Sequence, residues 1–98
     1  MKMNVTARHC DIPDDLREQA MELVEKASKR AVRPHRAEII FDDDHQQKIV
    51  EVQLYLARGQ VRVCTAEASD FRTALDRALD KLRNQLDKSQ PSRRTVAE

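Results

Sequence analysis

The spacing of apolar residues predicts a strand and then a helix in the first third of the chain. In the stretch KMNVTAR, apolar residues occupy every second position, which is the period of a strand with one buried face. The stretch DIPDDLRE places proline and acidic residues where a helix begins, and apolar residues then follow at helical spacing. We expect this helix to run from about Asp14 to Arg30, because Pro34 disfavours the helical conformation at Arg33.

Three further strands and a long second helix are predicted downstream. The stretches AEIIF and KIVEVQLYL have strand patterns and are separated by DDDHQQ, which we expect to be an exposed loop. ARGQ contains the only glycine and is expected to turn the chain into the strand VRVCTAE, with Val61, Val63 and Thr65 facing inward. After a cap at Ser69 or Asp70, apolar residues recur at helical spacing through ALDRALDKLRNQL.

The predicted order of elements is therefore β-α-β-β-β-α, an α+β fold. Each helix has one apolar face, so we expect both helices to pack on the same face of a four-stranded sheet. The other face of the sheet is expected to be polar and open to solvent. We place a single domain at residues 1–90 and a flexible tail at residues 91–98. The residues expected on the open face are Lys2, Arg8, Glu51, Gln53, Tyr55 and Arg62.

The composition is sufficient for one thin aliphatic core, since 40% of the 98 residues are hydrophobic and only 3% are aromatic. The chain contains no apolar run of about 18 residues, and its N-terminal stretch MKMNVTARHC lacks the apolar segment of a signal peptide. We therefore expect a cytoplasmic protein with no membrane partner. Cys10 and Cys64 form no CxxC or metal-binding spacing and are expected to be reduced structural thiols.

Residue types that support catalysis or metal binding are present, but the sequence does not group them. One glycine is too few for a Gly-rich phosphate loop, and His9, His35 and His45 lie in separate segments. The acids from Asp42 to Asp44 lack the spread of ligands and the glycine turn of a calcium loop. We expect no enzyme activity, metal, cofactor or small-molecule substrate, because no converging catalytic set can be drawn.

The net charge is only +1, but the charges are unevenly distributed. The stretch KASKRAVRPHR contains five lysines and arginines and no acid. In the second helix cations alternate with acids, and four-residue spacings indicate weak pairs of Arg72 with Asp76 and of Arg83 with Asp87. By itself this pattern favours a solvated, salt-bridged face. Both helices, however, have a basic C-terminal part and must pack on the same sheet face, which predicts a groove with basic rims suited to a phosphate backbone.

Three motifs carry a resemblance to a known family. MNVTARH resembles the opening strand of the ribosome hibernation promoting factors, also called ribosome-associated inhibitor or protein Y and formerly described as modulators of sigma-54. IPDDLRE resembles the helix start of that family, and AEASDFRTALDRALDKLRNQL resembles its closing strand and helix. The resemblance covers about residues 1–90 and implies the short form of the family.

The resemblance implies a β-α-β-β-β-α fold similar to a double-stranded-RNA-binding domain, with no catalytic activity and no cofactor. It implies binding to the small ribosomal subunit, in the channel of mRNA and tRNAs, through basic helix residues that contact rRNA phosphates. It also implies that initiation is blocked in stationary or starved cells. The positions that match basic residues of the family are Arg8, Lys26, Lys81, Arg83 and Lys88, and charge clustering alone adds Lys29, Arg30, Arg33 and Arg77.

Three departures from the family pattern keep a second hypothesis open. Leu23 stands where the family often has lysine, Arg72 stands where an aromatic residue is common, and the second helix ends without a long basic run. The protein is expected to be either a translation inhibitor that docks on rRNA or a protein–protein interaction or dimerisation module of the same fold. The second would use the open sheet face or a strand edge. We expect a monomer or weak dimer, and salt sensitivity separates the two hypotheses.

Overall fold

The computed structural model describes residues 1–88, apart from the side chain of Lys88, and confirms the predicted order of elements. The flexible tail predicted at residues 91–98 lies outside the described residues. A short 3-10 helix at Ala57–Gly59 connects the last two strands. The main elements are β1 (Lys2–Arg8), α1 (Asp14–Ser28), β2 (Arg36–Asp44), β3 (Gln47–Tyr55), β4 (Val61–Ala68) and α2 (Phe71–Lys88).

The strands lie side by side in chain order, β1-β2-β3-β4. β1 pairs parallel to β2, since the chain crosses over between them through α1, whereas β2–β3 and β3–β4 are antiparallel pairs. The sheet is therefore mixed, with β1 and β4 at its edges. Val52 on β3 lies opposite Ile39 on β2 and Cys64 on β4, so these three side chains point to the same face.

One apolar layer lies between the sheet and the helices. Ile39 and Val52 from the sheet are fully buried in the same cluster as Val24 of α1 and Leu79 of α2. Phe41 meets the ring of Phe71 edge to face with 5.4 Å between ring centroids, which ties the first turn of α2 to β2. Both helices thus cover one face of the sheet, as predicted.

The orientation of β4 differs from the prediction. Cys64 and Ala66 face the helices and are buried, whereas Val61 and Val63 are 39% and 49% exposed on the open face. Thr65 is also exposed, so the predicted inward set is wrong. Both alternating sets of the stretch VRVCTAEA contain apolar residues, and periodicity alone therefore does not select the buried one. Pairing with β3 selects it, since a strand's core-facing set must match that of its neighbour.

The same shift moves Arg62 off the open face. Arg62 lies opposite the buried Leu54 and therefore faces the helix side of the sheet, at the start of β4. Its predicted position on the open face is wrong for the same reason as that of the valines. The strand register leaves the other expected residues on the open face, namely Lys2, Arg8, Glu51, Gln53 and Tyr55.

The acidic stretch predicted to be a loop belongs to β2. Asp43 lies opposite Lys48 in the β2–β3 register, and their side chains form an ion pair at 2.6 Å. The connecting turn is only His45 and Gln46, whose φ angles of 48° and 69° are those of a tight hairpin turn. A polar cross-strand pair therefore extends this hairpin beyond the apolar residues that mark its strands in the sequence.

A matched pair of substitutions tests the orientation of β4. Val52→Thr places a hydroxyl in the core and is expected to lower the free energy of unfolding by about 1–3 kcal/mol, because a polar group is buried. Val63→Thr makes the same chemical change on the open face and is expected to remain within about 0.5 kcal/mol of wild type. Urea denaturation of both variants measures the difference, and equal losses would contradict the register.

Asp70 caps the first turn of α2, and its ionisation gives the fold a pH dependence. The backbone N–H of Thr73 donates to Asp70 Oδ2 at 3.3 Å, and hydrogen bonding from Thr73 lowers the pKa of Asp70 below its ordinary value of 3.8. A lowered folded-state pKa stabilises the fold above the ordinary value, and this contribution is lost as the pH falls through the lowered value.

Asp70→Ala is therefore expected to lower Tm at neutral pH and to have a smaller effect at about pH 2, where wild type has also lost the charged cap. Asp70→Asn keeps a capping oxygen that does not titrate, and serves as the control. Thermal melts followed by circular dichroism measure both effects. A Tm loss in Asp70→Ala that is equally large at both pH values would show that the ionised carboxylate is not what stabilises the helix.

Candidate nucleic-acid interface

The two helices run parallel, so their basic C-terminal parts lie at the same end of the molecule. Arg72, in the first turn of α2, donates to the side-chain oxygen of Gln19 in the first half of α1. Arg30, just after α1, forms an ion pair at 2.8 Å with Asp87 in the last turn of α2. The predicted site residues here, which we call the basic end, are Lys26, Lys29, Arg30, Arg33 and Arg83. Lys88 ends α2, and its side chain lies outside the described part of the chain.

The groove between the helices carries both signs of charge. Helical spacing places Lys26 on the same stripe of α1 as Gln19, facing α2. On the facing side of α2, Arg83 donates to Asp80 at 2.9 Å. Because Arg30 also bonds Asp87 across the groove, much of the positive charge there is compensated within the protein.

These bonds differ from the two pairs predicted from four-residue spacing within α2. Arg72 donates to Gln19 rather than to Asp76, and Arg83 donates to Asp80, three residues before it, rather than to Asp87. The prediction was wrong because α1 packs alongside α2: Gln19 of α1 accepts from Arg72, and Arg30, just after α1, pairs with Asp87.

Arg77 and Lys81 lie on a different stripe of α2, which overhangs the edge strand β4. Arg77 Nη1 donates to the carbonyl oxygen of Glu67 at 2.9 Å, and Lys81 Nζ donates to that of Thr65 at 2.7 Å. Carbonyls on an edge strand are otherwise available to pair with another chain. Two of the residues predicted to contact rRNA therefore already bond the protein's own backbone.

Gln85 continues this row of donors, with Nε2 at 3.4 Å from the carbonyl oxygen of Val63. Four residues of α-helix advance about 6 Å, and two residues of a strand advance about 6.6 Å. Because these distances nearly match, every fourth residue of α2 meets every second carbonyl of β4. The periodicity of the two elements, rather than any single residue, thus produces the row.

Arg8 lies away from the basic end. It is the last residue of β1, whose first residue, Lys2, donates from its N–H to the carbonyl oxygen of His35 in the loop after α1. On the open face Arg8 neighbours Asp42. His9 Nδ1 lies 3.0 Å from Asp42 Oδ1, and this hydrogen bond, followed by smaller effects including the charge of Arg8, lowers the pKa of Asp42. The structure therefore separates Arg8 from the other predicted site residues.

Two arginines that the sequence analysis did not select complete the basic end. Arg58 lies in the turn between β3 and β4, and Arg62, near the start of β4, faces the helix side of the sheet. Together with Arg30 and Arg33, they line a pocket of about 470 Å³. A signal for them existed, because β2 and β3 are antiparallel and so the turn after β3 must lie beside the loop before β2.

The thiols and histidines do not form a reactive centre in the described part of the chain. Burial raises the pKa of the Cys64 thiol, and burial together with the charges of Asp43 and Asp42 raises that of Cys10. Neither thiol is therefore activated as a nucleophile. Within residues 1–88, no group of three or more His, Cys, Asp or Glu side chains is placed to hold a metal ion. No helix in that range is long and apolar enough to cross a membrane.

The architecture defines a class of small two-layer α+β domains, in which two parallel helices cover one face of a four-stranded mixed sheet. The chain belongs to the family described as "Sigma 54 modulation protein / S30EA ribosomal protein", whose model matches residues 3–94. This membership confirms the resemblance carried by the sequence motifs.

Relatives and solved structures agree with this membership. A ribosome hibernation promoting factor from Azotobacter vinelandii is 27% identical over 86 residues, which cover 88% of this chain and 79% of the relative. A ribosomal subunit interface protein from Coxiella burnetii matches with a TM-score of 0.75 at 29% identity, over 93% of this chain and 99% of that one. The N-terminal domain of Protein Y from Thermus thermophilus has a TM-score of 0.77 at 21% identity, over 90% of this chain and 98% of that one, which shows a shared fold.

The row of donors over β4 predicts that Lys81 stabilises the fold. Lys81→Met keeps the apolar stem but removes the donor, and is expected to lower the free energy of unfolding by about 0.5–1.5 kcal/mol. Lys29→Met makes the same change at an exposed position outside the row and is expected to stay within about 0.5 kcal/mol of wild type. Urea titration of both variants decides the matter, and no loss in Lys81→Met would mean that its bond to Thr65 contributes nothing.

Proposed function

We propose that this protein is a ribosome-associated hibernation factor. It docks on the small ribosomal subunit, against rRNA phosphates in the channel of mRNA and tRNAs, and inhibits translation in stationary or stressed cells. The proposal assigns it no catalytic reaction and no cofactor, and locates it in the cytoplasm with the ribosome. The names of the family and the relatives refer to the ribosome, to its subunit interface and to hibernation, and they support a ribosome-associated role.

The observation that carries the proposal is the convergence of cations at the basic end. α1 contributes Lys26, the segment after α1 contributes Lys29 and Arg33, and α2 contributes Arg83. Lys26, Lys29 and Arg33 are exposed. A phosphate backbone is bound by such cations through charge and shape, with little dependence on base sequence.

The charge distribution also limits how the docking works. The net charge of the chain is only +1, so long-range attraction to RNA is weak and the local field of the basic end has to direct the encounter. Arg77 and Lys81 contribute positive charge, but docking through their terminal nitrogens requires giving up bonds to β4. We therefore assign the main phosphate contacts to the basic end and a minor part to the Arg77 and Lys81 stripe.

Co-sedimentation with ribosomes through a sucrose cushion tests the proposal. Wild type is expected to pellet with small subunits at low salt and to be released as salt rises, because each phosphate contact adds roughly 0.7–0.9 to the slope of log K against log salt. Lys26→Gln combined with Lys29→Gln is expected to weaken pelleting and flatten this slope. Lys2→Gln combined with Arg72→Gln removes the same charge away from the basic end and is expected to pellet like wild type.

Wild type that stays in the supernatant at low salt would overturn the proposed function. Equal weakening in both double variants would show that net charge, rather than the basic end, governs association. All four substituted positions are exposed, so both variants are expected to remain folded. Circular dichroism melts of the two variants check this.

A second candidate function is self-association or protein binding through the open sheet face. The observation that favours it is the exposure of Val61 and Val63, next to Tyr55 and Gln53 on β3. Pairing through the β4 edge is disfavoured, because α2 side chains occupy three of its carbonyls. A dimer that persists at high salt, with ribosome pelleting absent, would favour this function over the first.

A further inference from the structure

We propose that the pocket at the basic end is a phosphate-binding site, built by Arg33, Arg58 and Arg62, that seats one nucleotide of a single-stranded RNA segment. The assignment of that strand to rRNA rests on the proposed function, whereas the phosphate site itself rests on the geometry of this chain. Neither Arg58 nor Arg62 was predicted from the sequence to be a site residue, and the fold brings both to the pocket.

The pocket has the size and lining of a nucleotide site. Its volume of about 470 Å³ lies in the range of small-molecule sites, roughly 300–1,000 Å³. The floor is apolar, formed by the buried Leu56 and Leu86, and Val32 stands at the rim with 72% of its surface exposed. Such a floor suits a ribose or base, and guanidinium groups both bind phosphate oxygens and stack on base faces.

The charge of the pocket points to an anion. Four arginines line it, and no aspartate or glutamate is among its lining residues. Arg30 bonds Asp87, but no ion pair in the described part of the chain joins a carboxylate to Arg33, Arg58 or Arg62. Elsewhere Arg77 and Arg83 have acceptors within the protein. Three guanidinium groups around one cavity repel one another, and a phosphate offsets that repulsion with charge-assisted hydrogen bonds.

Hydrogen bonds and an unusual conformation fix the main chain of two of these arginines before any ligand binds. Arg33 and Arg58 have φ angles of 54° and 65°, in the left-handed region that residues other than glycine seldom adopt. Hydrogen bonds fix the segments that carry them. The N–H of His35 donates to the carbonyl oxygen of Tyr55 at 3.0 Å, and the N–H of Leu56 donates to that of Gln60 at 2.8 Å. Strained but fixed backbone of this kind is typical of ligand-binding positions.

The position of the pocket favours an RNA strand over a free nucleotide. It opens at the same end as Lys26, Lys29 and Arg83, so a strand bound to the helix ends continues into it. A free nucleotide engages the pocket alone and gains nothing from those cations. The strand therefore binds more tightly than the nucleotide, and the difference between the two is the measurable signature.

The test compares two double variants of the full 98-residue chain. Arg58→Gln with Arg62→Gln removes two pocket cations, and Lys2→Gln with Arg72→Gln removes the same charge elsewhere. The probes are a labelled eight-nucleotide oligouridylate, AMP and inorganic phosphate. Fluorescence anisotropy measures the oligonucleotide over a salt series, and amide chemical shifts of Arg58, Gly59 and Arg62 measure the small ligands.

We expect wild type and the control variant to bind the oligonucleotide alike, and the pocket variant to bind it roughly tenfold more weakly at low salt. Loss of one phosphate contact is expected to flatten the salt slope by about 0.7, the value for a single strand. Equal binding by all three proteins would overturn the site. A dissociation constant for AMP, from the shifts of the pocket amides, that is no larger than the one for the oligonucleotide would overturn the RNA assignment in favour of a free nucleotide.

Ribosome pelleting keeps this inference apart from the proposed function. If wild type pellets and the pocket variant pellets equally well, the pocket has no part in docking on rRNA, and the assignment of its strand to rRNA fails while the proposed function stands. If wild type does not pellet but its pocket amides respond to the oligonucleotide, the proposed function fails and the phosphate site stands. Circular dichroism melts of all three proteins establish that any loss of binding comes from a folded domain.

Discussion

Burial of two apolar helix stripes against one face of a four-stranded sheet is the constraint on which the rest of this structure depends. The parallel pairing of β1 with β2 sends α1 back across the sheet, and the antiparallel pairs that follow deliver α2 in the same direction. The helices are consequently parallel, and the chain's basic segments, which are distant in sequence, meet at one end. The candidate interface is therefore a product of topology: the same charges on an antiparallel helix pair would lie at opposite ends of the domain.

The sequence was sufficient for the elements and their order because those follow from local periodicity. It was insufficient for the face of β4, because both alternating sets of that strand contain apolar residues and only pairing with Val52 and Leu54 selects Cys64 and its neighbours. It was also insufficient for the acidic end of β2, where the ion pair between Asp43 and Lys48 extends a strand that apolar spacing alone ends too early.

The candidate site was predictable only in part, because contacts between elements decide which of its cations are available. Charge clustering found the cations at the end of α1, because they are adjacent in sequence. Selection by resemblance and charge clustering did not distinguish Lys81, which bonds the backbone of β4, from Lys29, which lies outside that row of donors, because the difference arises only when α2 lies along the sheet edge. It missed Arg58, which is isolated in a turn and joins the others only through the register of β2 with β3.

The in-phase contact of α2 with β4 also bears on how this domain accommodates changes in length. Insertion of one residue within α2 rotates everything beyond it by about 100° and advances it by about 1.5 Å. An insertion between Arg77 and Lys81 therefore displaces Leu82 from the core and Lys81 from its carbonyl in one step. The turn at His45 and Gln46 carries no such double constraint, because it lies at the tip of a hairpin. Variation in length among proteins built on this plan should therefore concentrate in turns such as this one, while the strand and the helix that covers its edge change length only together.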